Sequence, residues 1–267
     1  MRAIDTHAHL DFPQFDADRE ELIAKLAKEE IGVINIATDF ESNQKVVELA
    51  TRNNLIWAVV GLHPTEITSD TLSNMATQLE SLKTLAQSNP KVVAIGEVGL
   101  DYYREESKGQ AETQKAVLRQ FLTLAGELNF PVVFHCRDAY GDLLTILADY
   151  PATKGVIHCF TGTADEAKKF LDLGLFISFT ATITYEANNS QRQAVSEVPL
   201  EKMLLETDCP FLVPQTRRGQ RNDPLTILEV AKTIAEVKGI DREEVLRQTT
   251  ANAIGLFGLD MVMEELS

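Results

Sequence analysis

Several things are scarce in this chain of 267 residues, and each scarcity narrows the reading. Cysteine occurs three times, widely spaced and with no C-x-x-C pair. That argues against a disulfide framework and for a reducing compartment. No apolar run approaches the roughly 18 residues that a bilayer span requires. No basic segment followed by an apolar stretch opens the sequence, so no signal peptide is expected and a cytoplasmic enzyme is the default. Positive charge is short: 25 Lys and Arg stand against 40 Asp and Glu, a formal net charge of −15. Broad, sequence-independent binding to nucleic acid normally uses a basic surface and is disfavoured. A local site in which bound cations supply the positive charge is not excluded. Neither G-x-G-x-x-G nor a P-loop follows the first strand candidate, which weakens a nucleotide-binding doubly wound sheet. No linker, low-complexity tract or composition shift marks a second domain, so one domain over residues 1–267 is expected.

What is present is a repeated alternation. Short β-branched runs at Arg2–Thr6, Gly32–Ala37, Leu55–Leu62, Val92–Gly96, Pro131–His135, Gly155–His158, Leu175–Phe179 and Met203–Glu206 read as strands. Amphipathic stretches separate them: Asp18–Glu30, Ser42–Asn53, Thr71–Gln87, Gln110–Leu128, Gly141–Asp149, Ala164–Leu173 and Ser190–Val198, with Leu225–Lys238 and Arg242–Phe257 at the end. In the first helix Leu22, Ile23, Leu26 and Ala27 form one apolar stripe, Asp16 and Asp18 are plausible caps, and Gly32 can release the chain into the next strand. Eight strands alternating with helices fit an α/β fold of the TIM (β/α)8 barrel type. The longest irregular stretch, Pro210–Pro224, is long enough to suggest a functional loop.

The five histidines are His7, His9, His63, His135 and His158, and each falls at the C-terminal end of a strand candidate. In a barrel those ends form one rim, where active sites are built. His7 and His9, two apart, project to the same side if the strand is regular. Alone, such a pair is as consistent with surface histidines as with metal ligands. Glu97 and Asp208 follow strands at equivalent points. Either acid alone reads equally as a helix cap or a loop salt bridge. Together the four histidines His7, His9, His135 and His158 and the two acids make six nitrogen and oxygen positions. Six is too many for one tetrahedral zinc and suits a two-metal site.

The segments Thr6-His7-Ala8-His9-Leu10-Asp11, Gly61-Leu62-His63-Pro64, Gly96-Glu97-Val98-Gly99-Leu100-Asp101, His135-Cys136-Arg137-Asp138-Ala139, His158-Cys159-Phe160-Thr161-Gly162, Glu206-Thr207-Asp208-Cys209-Pro210 and Arg218-Gly219-Gln220-Arg221-Asn222-Asp223-Pro224 resemble, in order, those of the TatD-type metal-dependent deoxyribonucleases, which are amidohydrolase-like barrels. The resemblance runs from the first strand to the last helix. It implies hydrolysis of DNA phosphodiesters, with 3′ to 5′ exonuclease action on single-stranded ends, and two divalent ions (Mg, Mn or Zn). His7, His9, Glu97 and Asp208 would hold the first ion. Glu97 would bridge to the second, completed by His135 and His158. Two such ions against two carboxylates leave about +2 at the site, enough to hold a polyanion locally. Asp208 is the candidate to take a proton from the attacking water, by analogy, with a purely structural role as the alternative.

Further roles follow from position. Asp5 and Glu206 each lie two residues before a proposed ligand, so strand alternation points both inward, where either could orient a histidine or be a buried carboxylate paired with a base. His63, without a metal in the family pattern, is assigned to substrate; a structural role beside Pro64 is the alternative. Arg137, Arg218 and Arg221 are candidate phosphate contacts. Phe15, Tyr102, Tyr103 and Phe160 could stack on bases or simply pack. Cys136 and Cys159 should face the helices as small buried hydrophobes, and no catalytic thiol is expected. Thr65 departs from the family, where a second histidine is frequent, and so does Gly255, where arginine is frequent. No obligate protein partner is evident. A metal-dependent hydrolase of a small ester, amide or phosphoester is the alternative function. Related barrels of that kind often bridge their metals with a modified lysine, and Glu97 at the bridge favours the phosphodiesterase. A scaffold with a vestigial site is the third reading.

Overall fold

In a computed structural model, residues 1–259 are described; the last part of the predicted single domain, 260–267, lies outside them. The chain alternates as β1 (Ala3–Ala8), α1 (Arg19–Lys28), β2 (Ile31–Ile36), α2 (Ser42–Thr51), β3 (Ile56–Val60), α3 (Thr71–Ser88), β4 (Val92–Asp101), α4 (Glu105–Gly109), α5 (Ala111–Leu128), β5 (Val132–Arg137), α6 (Tyr140–Leu147), β6 (Gly155–Ile157), α7 (Ala164–Asp172), β7 (Phe176–Phe179), α8 (Asn189–Glu197), β8 (Met203–Leu205), α9 (Ile227–Lys238) and α10 (Arg242–Phe257). All strands pair in parallel and in chain order, β1 to β8. There is no reversal of strand order, so the doubly wound alternative falls. The expected strands and helices are all found; only the short α4 was missed.

The seam is closed by backbone bonds rather than a full ladder. Asp208 N–H donates to His7 O at 2.9 Å, His9 N–H donates to Cys209 O at 2.9 Å, and Ala8 bridges Cys209. The Thr6 hydroxyl adds a bond to Leu205 O at 2.9 Å. The result is a (β/α)8 barrel, as predicted.

Two apolar layers hold it. Ile4, Ile34, Ile36, Trp57, Val59, Val133, Val156 and Leu204 fill the barrel, joined by Ala253, Phe257 and Leu259 from the C-terminal end of the chain. The larger layer, including Ile31, Val33, Ile95, Val98, Phe121, Phe134 and Ile234, lies between strands and helices. Each such fully buried side chain stabilises by roughly 1.5–3 kcal/mol relative to exposure. Alternation then carries the inner face upward: two residues after Val133 comes His135, two after Val156 comes His158, and two after Leu204 comes Glu206. The apolar interior therefore turns polar at the C-terminal rim.

Local signals behave mostly as their chemistry demands. Thr163 and Glu166 form a reciprocal capping box on α7. Asn129 ends α5 in the left-handed conformation, φ 54°. At α1 the structure differs from expectation. Asp18 holds the N-cap position but makes no capping bond, because its carboxylate is drawn to Arg221. Glu30, not Gly32, turns the chain with a positive φ of 56°. Gly32 instead makes room for a ring: a Cβ there would lie 3.0 Å from Trp57.

Candidate metal centre

Two strands carry a local irregularity where the site is built. In the β1–β2 ladder Asp5 pairs Val33 and Ala8 pairs Asn35, so Thr6 and His7 together oppose Ile34 alone. In the β4–β5 ladder Ile95 pairs Val132 and Val98 pairs Phe134, so Gly96 and Glu97 oppose Val133 alone. Each is a one-residue bulge, which re-aims the side chains that follow. By simple alternation His7 would share the face of Asp5, and Glu97 that of Ile95, which packs in the outer layer. The bulges turn both inward. Gly96 permits the second one: its φ is 155°, and a Cβ would stand 2.8 Å from Val133 Cβ.

The side chains converge. His7 Nε2 is 3.2 Å from Glu97 Oε2 and 3.8 Å from Asp208 Oδ1. His9 Nε2 is 3.3 Å from the same Asp208 oxygen, and its Nδ1 faces Ile36 O at 2.9 Å. The other oxygen of Glu97, Oε1, meets His135 Nδ1 at 2.7 Å, His63 Nε2 at 3.4 Å and His158 Nε2 at 3.5 Å. His7 and His158 stack with ring centroids 3.6 Å apart. Donor atoms fall into compact groups: His7 with Glu97 and His158, His7 with His9 and Asp208, and His63 with Glu97 and His135. All six predicted ligands are thus brought together, with His63 beside them.

Charge and hydrogen bonding fit a cation. Both ring nitrogens of His7 are buried with no hydrogen-bond partner, an omission worth about 1–3 kcal/mol per orphaned group unless an ion takes the lone pair. Burial, then the neighbouring His158, holds the His7 pKa down, so a lone pair is available. Burial pushes Glu97 up, but His63, His158 and His7 outweigh it and keep the carboxyl well below its usual range. Burial opposes charge on His158 as well, yet Glu206 and Glu97 raise it to about 10. The carboxylates thus favour positive charge at this point, which is what a cation would supply.

Supporting residues differ in part from expectation. Glu206 lies 3.0 Å from His158 Nδ1 without hydrogen-bonding geometry, and it accepts from Ser178 Oγ at 2.7 Å. Asp5 does not reach a histidine ring. It accepts from the backbone N–H of His7 at 3.2 Å and of Thr207 at 2.9 Å, because the bulge after it separates its face from that of His7. It tethers β1 to the segment after β8 instead. Asp101 received no role from the sequence, yet its Oδ2 holds His135 Nε2 at 3.0 Å. That leaves His135 Nδ1 facing Glu97. The available signal was its position at the end of β4, inward like Gly99. Thr65 N–H donates to His63 Nδ1 at 3.2 Å, which places the ring proton on Nε2.

The arginines separate. Arg221 is committed to Asp18 at 2.7 and 2.6 Å, to Gln14 O at 2.7 Å and to the face of Phe15 at 4.3 Å, so it pins the long loop and is not free for phosphate. Arg218 is exposed, 5.7 Å from the Tyr185 ring. Arg137 is exposed on the rim, its guanidinium 3.5 Å from the Tyr103 ring centroid. Phe15 and Phe160 are fully buried and cannot meet a base; Tyr102 is half-buried and donates to Asp142 at 2.9 Å. Cys136 is buried as expected. Cys159 is only half-buried and lies by Glu206 and His158, since β6 ends before it and its φ of 46° breaks the alternation. Burial and the charges of Asp208 and Glu206 push its thiol well above the ordinary range, which disfavours the thiolate.

A (β/α)8 barrel with histidines and carboxylates gathered at its C-terminal rim is the architecture of a metal-dependent hydrolase. The family described as TatD related DNase matches residues 4–258, and the chain belongs to it. It is 37% identical over 259 residues to YabD, an uncharacterized metal-dependent hydrolase of Bacillus subtilis, covering 96% of this chain and 99% of that one. It is 36% identical over 264 residues to a protein of Erwinia amylovora named 3′-5′ ssDNA/RNA exonuclease TatD, covering 96% and 99%. The crystal structure of YjjV, a TatD homologue from Escherichia coli, superimposes with a TM-score of 0.88 at 33% identity, covering 97% of this chain and 99% of that one. No helix among the described residues is long and apolar enough to cross a membrane.

Proposed function

We propose that this chain is a metal-dependent 3′ to 5′ exonuclease acting on single-stranded DNA ends. The observation that carries the reading is the division of Glu97: one oxygen faces His7 and the other faces His135, His63 and His158. A carboxylate so placed suits a bridge between two cations. His7, His9, Glu97 and Asp208 would hold one divalent ion, and Glu97, His135 and His158 the other. When bound, such ions neutralise the phosphate oxygens and acidify a water.

The chain's own groups supply the rest. Asp208 is held as a carboxylate by His9, His158 and His7 against the burial that opposes it. Its side chain is 17% exposed against 3% for Glu97, so it is the carboxylate that reaches the mouth and can accept the proton of the attacking water. His63, with its proton on Nε2, donates to a phosphate oxygen. Arg137, exposed and without an ion pair among the described residues, offers its fork to the next phosphate. The relatives named as ssDNA/RNA exonucleases support this substrate class.

The test uses end-labelled single-stranded oligonucleotides with Mg²⁺, Mn²⁺ or Zn²⁺ added to chelator-treated protein. Stepwise shortening from the 3′ end, abolished in Glu97→Ala, is expected. No shortening with any of these ions, together with turnover of a small ester, amide or phosphoester, would move the reading to that alternative.

A further inference from the structure

Among the described residues, four large apolar side chains stand well exposed: Leu72 at 41%, Tyr103 at 58%, Leu173 at 37% and Phe211 at 47%. The leucines lie at the ends of outer helices. The two aromatics lie on the barrel mouth, each one step removed from a histidine of the metal centre. Phe211 meets Phe12 edge-on, centroids 6.0 Å apart, and Phe12 stacks on His9 at 4.8 Å with 26° between planes. Across the mouth, Tyr103 N–H donates to Asp101 Oδ1 at 2.9 Å, and Asp101 Oδ2 holds His135. The Arg137 guanidinium carbon lies over the Tyr103 ring, 3.5 Å from its centroid. Because the strands run in order round the barrel, the β8/β1 seam that carries Phe211 and Phe12 is opposite the β4/β5 pair that carries Tyr103 and Arg137.

Neither ring is buried by the contacts it makes. Both leave apolar area in water beside a site otherwise lined with polar groups, and their flat faces suit another flat, weakly polar surface. We propose that Phe211 with Phe12, and Tyr103 with Arg137, are two base-stacking platforms that hold the unpaired nucleobases on either side of the scissile phosphodiester. This rests on the nuclease reading above and adds to it the residues that select the substrate. Stacking uses the π-face that every base carries, so the platforms tolerate any sequence. They read no 2′-hydroxyl, and therefore accept DNA and RNA alike. A base in a duplex has both faces covered, so they favour single strands. The Arg137 guanidinium can stack and pair a phosphate at once.

The test compares ordinary single-stranded oligonucleotides with ones whose two terminal nucleotides lack bases. Phe211→Ala and Tyr103→Ala should each lower kcat/KM on the ordinary strand about tenfold, about 1.4 kcal/mol, mainly through KM. Phe211→Trp should restore it, and the abasic strand should be cut equally by wild type and variants. In parallel, a 2-aminopurine at the terminal position should lose fluorescence on binding wild type and keep it with Phe211→Ala. The proposal is overturned if wild type cuts abasic and ordinary strands equally well, or if quenching is unchanged in the variants. Quenching that depends on Phe211 in a protein that cuts no strand would uphold the platforms and sink the nuclease reading.

Discussion

His7 and Glu97 sit at matching bulges on strands β1 and β4, and their side chains meet at 3.2 Å. Both residues would face the helices in regular strands; both face the barrel because one extra residue is inserted in each ladder. The candidate metal centre is therefore built partly by two departures from strand regularity, at His7 and Glu97, and partly by the regular alternation that brings His135 and His158 inward.

Glu97→Gln keeps the shape of that meeting and removes the charge. The side chain then offers one carbonyl oxygen where two carboxylate oxygens served separate groups. Bound metal per chain should fall, and hydrolysis should drop on the order of 100-fold or more. Metal analysis and turnover measured on the same preparation check it. Retention of full metal content and activity would contradict the bridging role.

Asp101→Asn tests a residue that touches the site only through His135. The amide retains an oxygen for Tyr103 N–H but no longer accepts as a charged group from His135 Nε2. Metal affinity should weaken about 10–100-fold, read by competition with a chromophoric chelator. The melting temperature of the metal-free protein should move little, since the β4 ladder is untouched.

Metal removal should lower thermal stability reversibly. An ion that binds only the folded chain, present at 100 times its dissociation constant, adds about 2.7 kcal/mol. For a chain of this size that corresponds to a rise of roughly 5–10 °C in Tm. Differential scanning calorimetry with and without chelator reads it, and substitution of His7 should abolish the larger part of the shift. His7 is the residue with most to gain, because neither of its buried ring nitrogens makes a hydrogen bond.

The Asp18–Arg221 pair predicts a pH dependence. The bond to Arg221 depresses the Asp18 carboxyl below its ordinary value of 3.8. A depressed carboxyl contributes stability that is fully present above the unfolded-state pKa and is lost as pH falls through the lower folded value. Arg221→Ala should therefore show a small stability deficit at neutral pH that narrows once the pH drops below about 4. Urea midpoints of wild type and variant across that range measure it. A deficit independent of pH would assign the effect to packing on Phe15 and the bond to Gln14 O instead.

How much of this could be read without coordinates depends on the range of the interaction. Strands, helices and the barrel were legible because period-two and helical patterns are local, and the gathering of all five histidines at strand ends marked the rim. Reading Asp5 as inward failed for a definite reason. A bulge is a property of the pairing between two strands, and nothing in Ile4-Asp5-Thr6-His7 announces that Ile34 will oppose two residues. Arg221 looked free because its partner Asp18 lies at the other end of the chain and looked like a helix cap. Asp101 was passed over because holding His135 Nε2 requires β4 to run longer than its apolar core suggests.

The aromatics divide on the same line. Phe15 and Phe160 follow metal-site motifs as closely as Tyr103 does, but the first two are swallowed by the outer core while Tyr103 and Phe211 remain on the mouth. By itself the sequence determined which atoms could bind a metal and that they would share one rim, since residue chemistry and strand period are written locally. Tertiary structure decided which face each ligand takes, which carboxylate holds which ring, and which arginines and aromatics stay free for a substrate. Those outcomes depend on strand register and long-range packing, which bring together residues whose separation along the chain carries no record of their contact.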